Sequence, residues 1–271
     1  MEYITVVGMG NMGRAFARRA ASQGFNVLWW NRTREKVRDV PGTPISKLAD
    51  AKGLVAVFVA DDKALFDVLP EVGGDYVALS GTYSVDGVRR AVEMLAARGQ
   101  KSFAMPVVGS PRNVEAGDAI YIVGAPDDVY AKLRPTLEKF GVLFHVGDSV
   151  KAAALKLAYN SLLISTVAVL GESLSLASKY GVQPDVFREL LSHTVFKDFA
   201  ARYIDRMLGG GTPTFTIRNA AKDVRYASLA AGEAETGNVV ISGVKALYEL
   251  LTAMGYGDED YVKAGVLAGG K

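Results

Sequence analysis

Lys156 and Asn160 have the strongest claim to chemistry in this chain, because they stand one helical turn apart in a stretch where almost no other charged group occurs. Between Ala152 and Ser178 the charged side chains are Lys156 and Glu172 alone. The spacing of i and i+4 puts amine and carboxamide on one face of a helix. A lysine among apolar neighbours loses hydration of its ammonium form, so its affinity for the proton falls toward the working pH. Such an amine suits proton transfer to or from a reacting oxygen. Asn160 can hold the amine or a substrate oxygen without competing for the proton. The opposing reading is a lysine paired with a carboxylate or extended out to water.

A second chemistry-bearing stretch is Gly8-Met9-Gly10-Asn11-Met12-Gly13, which follows the apolar run Tyr3 to Val7 and precedes the helical pattern Arg14 to Gln23. Strand, glycine turn and helix is the context in which a glycine loop cradles a dinucleotide. The first glycine allows the tight turn, the second admits a pyrophosphate, and the third lets helix and strand pack closely. The phosphates then face the unpaired N–H groups at the positive end of the helix. A second strand, Asn26 to Trp30, ends in Asn31-Arg32-Thr33 with Arg34 and Lys36 behind. An acid at that strand end would bind a ribose 2′-hydroxyl and repel a 2′-phosphate. Here Asn31, Arg32, Thr33 and Lys36 offer amide, guanidinium, hydroxyl and ammonium donors instead, which favours NADP(H) over NAD(H).

The elements that must position these groups alternate at first. Strands are expected at Leu54 to Val59, Tyr76 to Leu79, Ala119 to Val123 and Val142 to Val146, with Lys101 to Val108 an extended stretch. Helices are expected at Lys63 to Leu69, Val85 to Arg98 and Asp127 to Phe140, the pattern of a parallel sheet with helical crossovers. Val59, Ala60 and Thr82 follow strand ends, the edge where such sheets bind ligands. Asp61 and Asp62 read as helix caps rather than metal ligands, Gly109 to Asn113 as a loop, and His145 as structural. The remainder reads as helical. A long helix from Asp148 to Gly181, capped by Asp148 or Ser149 and closed by Gly181, would run roughly 45 Å. Being apolar on nearly every side, it is expected to be buried on nearly every side. Further helices are expected at Pro184 to Leu191, Lys197 to Leu208, Thr216 to Ala231, Val239 to Met254 and after Asp260. Gly209-Gly210-Gly211-Thr212-Pro213 reads as a loop. The fold class is α/β: a doubly wound sheet of the Rossmann type over residues 1–148, then an all-helical domain over residues 149–271, joined by the long helix.

Composition narrows the partners. The chain has 271 residues, a net charge of +2 and interspersed charges, so no basic stripe points to nucleic acid or an anionic membrane. It has no cysteine and two histidines, which removes disulfides, thiolate chemistry and the usual metal sites. The opening residues lack the pattern of a signal peptide, so the expected location is the cytoplasm. The uncharged run from Leu157 to Gly171 is shorter than a membrane span and is expected to be core. Several strongly apolar helices in a short domain predict a homodimer, with a homotetramer as the alternative.

In this order the motifs resemble the β-hydroxyacid dehydrogenase family, which includes 3-hydroxyisobutyrate dehydrogenases and glyoxylate/succinic semialdehyde reductases. Val7 to Gly13 looks like the family's GLGxMG opening, and Lys156-Leu157-Ala158-Tyr159-Asn160 like its catalytic KxxxN motif. Lys222-Asp223-Val224 matches its KDL segment, and Gly255 to Asp260 its GxGxxD ending. The resemblance implies an oxidoreductase interconverting a small hydroxy acid and its carbonyl, of the 3-hydroxyisobutyrate, serine or semialdehyde type. It makes Lys156 the general acid and base, and places Lys222 near the nicotinamide. The family's substrate loop, DAPVSGG, reads Ala104 to Ser110 here. Val108 stands where a serine would contact the substrate carboxylate, leaving the N–H groups of Gly109 and Ser110, and the charge of Arg112, as candidates for that contact. Two other functions remain open: an imine reductase on the same fold, which usually has Asp or Tyr in place of Lys156, and a non-catalytic NADP-binding protein.

Overall fold

The first five residues of regular structure already place the nucleotide loop, since strand β1 (Tyr3–Val7) is apolar, β-rich and buried on both faces from Ile4 onward. The computed structural model describes residues 1–209 and 211–270. It divides into two compact units, Met1–Lys156 and Leu157 onward. In the first unit, β1 is followed by α1 (Asn11–Ser22), β2 (Asn26–Trp30), β3 (Thr43–Pro44), β4 (Leu54–Val57), α2 (Asp62–Val68), β5 (Tyr76–Leu79), α3 (Val85–Ala97) and β6 (Lys101–Ala104). These strands form a parallel sheet in the order β3-β2-β1-β4-β5-β6. The chain winds outward from β1 to β3 and returns beyond β1 at β4, so strand order reverses between β1 and β4. A ligand crevice belongs at that reversal, beyond the carboxyl ends of the strands.

A second sheet follows, made of β7 (Val107–Val108), β8 (Ala119–Val123) and β9 (Gly141–His145), with α4 (Pro111–Ala116) and α5 (Asp127–Leu137) between them. The expected extended stretch from Lys101 to Val108 is therefore two strands in two sheets. Pro106 lies at the break, where a residue without an N–H cannot continue a ladder. The Met105 N–H still bonds to Leu79, whereas the Pro106 carbonyl accepts from Ile122 of the second sheet. The core of this unit gathers Phe16, Phe103, Tyr121 and Phe140, with the rings of Phe16 and Phe140 stacked at 4.3 Å.

Helix α6 (Ser149–Lys179) continues from the first unit into the second, which adds α7 (Pro184–Ser192), α8 (Lys197–Leu208), α9 (Ile217–Glu233), α10 (Val239–Leu251) and α11 (Ala264–Ala268). The predicted boundaries of α6 have their expected causes: Asp148 accepts from the Lys151 N–H at 2.9 Å, and Gly181 is left-handed with φ 83°. Ser149 does not cap it. Its hydroxyl instead accepts from the Ala104 N–H and donates to the Gly124 carbonyl, tying the helix start to both sheets. The expected loop at Gly209 to Pro213 includes Gly210, which lies outside the described residues.

Burial of α6 on nearly every side is corrected by the structure. Ile164, Val167 and Leu174 enter the core of the second unit, yet Leu155, Leu162, Val169 and Leu176 form an exposed apolar row, with Leu162 at 69% exposure. By length and composition both α6 and Val239–Tyr256 could cross a membrane. In α6 the same apolar content serves a core on one side and this exposed row on the other.

Four buried tyrosines, Tyr83, Tyr121, Tyr248 and Tyr261, have phenols driven well above the ordinary range, chiefly by burial. A raised folded value means the native state keeps protons that the unfolded chain releases above about pH 10. Their stabilising effect is complete below that pH and is lost as pH rises toward the folded values. The limiting slope is about 1.4 kcal/mol per pH unit for each tyrosine. Denaturant melts at rising alkaline pH should show stability falling from about pH 10, with phenolate absorbance growing in step with unfolding. Phenolate forming in the folded protein at pH 10 would contradict this.

Candidate functional site

The glycine loop is built as its spacing predicts. Gly8 takes φ 95°, and a Cβ there would lie 2.6 Å from the Phe58 carbonyl oxygen. Gly13 packs against the same turn, since its Cβ would lie 2.0 Å from the Gly8 oxygen. Between them a Cβ on Gly10 would meet nothing within 4 Å. Two glycines thus exist for close packing, and the middle one leaves space above the loop. Gly10 caps α1 without a side-chain hydrogen bond, and the first turn holds no acid. The positive end of a helix and free space above Gly10 fit a pyrophosphate. The Gly8 N–H bonds to Trp30 and the Phe58 N–H to Val7, which sets the loop across the ends of β2, β1 and β4, with Val59 and Ala60 following. Asn11 and Met12 open α1 directly behind Gly10.

At the end of β2 the Asn31 carboxamide accepts from the Met9 N–H at 3.0 Å and donates to the Thr33 carbonyl at 3.0 Å. Asn31 therefore braces the glycine loop against the turn after β2. Arg32 is exposed, and Arg34 to Lys36 form one turn of 3-10 helix. Arg32 and Lys36 are exposed on this loop and Thr33 is half-buried.

Lys156 is 8% exposed, so its head group lies inside the protein. It lines a small cleft with Ala153 of its own helix, Gly81 and Tyr83 after β5, and Pro106 after β6. The cleft thus opens at the carboxyl ends of the strands, where Thr82 also lies. Tyr83 was not anticipated. Its hydroxyl donates toward the Val57 and Val59 carbonyls at 3.2 and 3.4 Å, and its ring lies where a Cβ on Gly81 would be.

Asn160 is buried in the second unit, and its Nδ2 donates to Asp223 Oδ2 at 2.6 Å. Only the NH2 end of a carboxamide can donate, so this bond fixes which way Asn160 points and leaves its Oδ1 as an acceptor. Lys222 Nζ lies 2.9 Å from the other oxygen of Asp223, an ion pair made off the hydrogen-bonding direction, since that buried oxygen accepts no hydrogen bond. Asp223 is the functional candidate that sequence reasoning passed over. A lone acid among Ala220, Ala221, Val224 and Ala227, all buried, was the signal available for it.

The expected substrate loop is a helix start. Ser110 caps α4, taking the Asn113 N–H on its hydroxyl, while Asn113 Oδ1 accepts from both the Ser110 N–H and hydroxyl at 2.9 and 2.6 Å. The N–H and hydroxyl of Ser110, the N–H being the expected carboxylate contact, are thereby bonded within its own helix start. Val108 ends β7, Gly109 is exposed with φ 142°, and Arg112 is exposed on α4. Of the two expected caps, Asp61 caps α2 at 2.8 Å, whereas Asp62 lies inside α2 and accepts from the N–H and hydroxyl of Ser84, the cap of α3; His145 bonds to the Ala125 carbonyl at 2.7 Å.

Fold and glycine loop together define an oxidoreductase that uses a nicotinamide dinucleotide. Residues 3–147 match the NAD binding domain of 6-phosphogluconate dehydrogenase. Residues 151–265 match the NAD-binding domain of NADP-dependent 3-hydroxyisobutyrate dehydrogenase. The chain belongs to the β-hydroxyacid dehydrogenase family, whose members act on the hydroxyl groups of hydroxy acids. It is 27% identical to glyoxylate/succinic semialdehyde reductase 2 of Arabidopsis thaliana over 95% of this chain and 77% of that one. Its fold is similar to 3-hydroxyisobutyrate dehydrogenase of Mycobacterium tuberculosis solved with L-serine, with a TM-score of 0.83, 19% identity and 99% of each chain covered. An imine reductase variant from Myxococcus stipitatus solved with NAD+ shares the fold at a TM-score of 0.67 and 16% identity, covering 97% of this chain and 98% of that one.

Proposed function

We propose that this chain is an NADP(H)-dependent enzyme interconverting a small hydroxy acid and its carbonyl, of the 3-hydroxyisobutyrate, serine or semialdehyde type, with Lys156 as the proton-transfer group. The observation that carries the reading is the burial of Lys156 in a cleft at the strand ends. From there the side chain can give a proton to the oxygen in reduction and take one from the hydroxyl in oxidation. The glycine loop would hold the pyrophosphate, and Arg32, Thr33 and Lys36 the 2′-phosphate. When bound, the nicotinamide supplies or accepts the hydride. Asn160, oriented by Asp223, would accept through its Oδ1 from a substrate hydroxyl or an ammonium N–H. The match to an NADP-dependent relative supports the cofactor preference. The test is turnover with NADPH and with NADH over small aldehyde acids, 3-hydroxy acids and serine. Activity with NADPH on one of these pairs supports the proposal, and inertness toward the whole panel returns a non-catalytic dinucleotide-binding role.

Imine reduction is the second reading, favoured by the shared fold. Lysine at position 156 counts against it, and a cyclic imine reduced faster than any semialdehyde acid would reverse that judgement.

We further propose that a second copy of this chain covers the exposed row on α6. Leu155, Tyr159, Leu162, Val169, Leu176 and Tyr180 follow alternating steps of three and four, completed by Thr166 and Ser173, and every one is uncharged. A seam of that period suits the same seam on an identical helix. Light scattering should report a dimer or tetramer, and Leu162→Glu should yield monomer. A wild-type monomer would refute the assignment.

A further inference from the structure

We propose that Arg14 is the positioning residue that makes this chain discriminate between dinucleotides with and without a 2′-phosphate. The inference rests on the NADP(H) reading above. Arg14 stands in the first turn of α1, and its guanidinium joins two loops. Nε donates to the Met9 carbonyl at 2.9 Å, inside the glycine loop, and a terminal nitrogen donates to the Lys36 carbonyl at 2.8 Å, at the end of the turn after β2. The Met9 N–H is held from the same side by Asn31, whose Nδ2 in turn donates to the Thr33 carbonyl. Both polar groups of Met9 are thus tied to the loop that carries Arg32, Thr33 and Lys36. One turn further along α1, Arg18 donates to the Asp39 carbonyl at 3.2 Å and anchors that loop's far end.

A dinucleotide seated by its pyrophosphate carries its 2′ substituent at a distance set by its own covalent frame. The donors after β2 meet a 2′-phosphate only if their loop is held at that distance from the glycine loop. The planar fork of Arg14 spans the two carbonyls in a fixed geometry, which a flexible ammonium cannot do. Its donors face backbone oxygens, so its role is to place Arg32, Thr33 and Lys36. A cofactor lacking the 2′-phosphate does not depend on that placement.

Dissociation constants for NADPH and NADH, read by quenching of Trp29 and Trp30 fluorescence in β2, test this in the full-length protein. Arg14→Met and Arg14→Lys should each weaken NADPH about tenfold, the effect of losing one charge-assisted hydrogen bond, and leave NADH within about twofold. Thermal unfolding should match wild type. Parallel weakening of both cofactors would mean that Arg14 merely supports the glycine loop, and wild-type affinity in Arg14→Lys would mean that charge alone matters; either result overturns the proposal. A wild-type protein without NADPH preference would overturn the underlying reading, and this inference with it, before any variant is measured.

Discussion

Lys156→Met is expected to lower kcat by about a thousandfold or more while the dissociation constant for NADPH stays within about twofold of wild type. The size follows from the general range for a positioned proton donor, which reaches about 10⁴. Methionine keeps the length and apolar stem of lysine and removes only the amine. Thermal melts of the variant separate a loss of chemistry from a loss of folding, since a wild-type melting temperature with lost turnover assigns the defect to the amine. Lys156→Arg sharpens the test, because a guanidinium stays charged at every working pH and cannot release a proton. It should be as inactive as methionine if the role is proton transfer. Single-turnover assays with NADPH would show this directly, and substantial turnover in either variant removes Lys156 from the chemistry.

Gly10→Ala should abolish dinucleotide binding, by about a hundredfold or more in affinity, without harming the fold. Gly10 has φ −72° and ψ −170°, a conformation alanine adopts freely, and its Cβ would meet no protein atom within 4 Å. Replacing glycine gains about 0.4–1 kcal/mol through the unfolded chain, offset by alanine's poorer fit at the N-cap, so stability should change little. The methyl group would stand where the loop must approach a pyrophosphate. Gly13→Ala makes the contrast: its Cβ would fall 2.0 Å from the Gly8 oxygen, so backbone must move. Forced overpacking of this kind costs about 1–3 kcal/mol. Melting curves and fluorescence titration with NADPH of the two variants separate the roles. Gly10→Ala that binds NADPH as wild type would show that no pyrophosphate sits at this loop.

How far the sequence could be read depended on the range of the interaction involved. The helix start at Asp148, the left-handed Gly181 and the Asp61 cap were legible, because each depends on residues within one turn. The glycine loop was legible for the same reason. The expected loop at Gly109 to Asn113 was misread: Ser110, Pro111 and Asn113 form a capping box whose pattern is local but short. The extended stretch at Lys101 to Val108 hid a change of sheet, since its pairing partners lie in β5 and β8, far along the chain.

By itself the sequence determined the order of strands and helices, the nucleotide loop and the isolation of Lys156 in an apolar helix, since all three are written in periodicity and in residue types with narrow backbone demands. Tertiary structure alone decided the partnerships. It joined Asn160 to Asp223 across 63 residues, engaged Asn31 and Arg14 in bracing the loops after β1 and β2, and left one row of α6 uncovered. Side-chain chemistry states what a residue can bond to, and chain folding over long sequence separations chooses which bond is made.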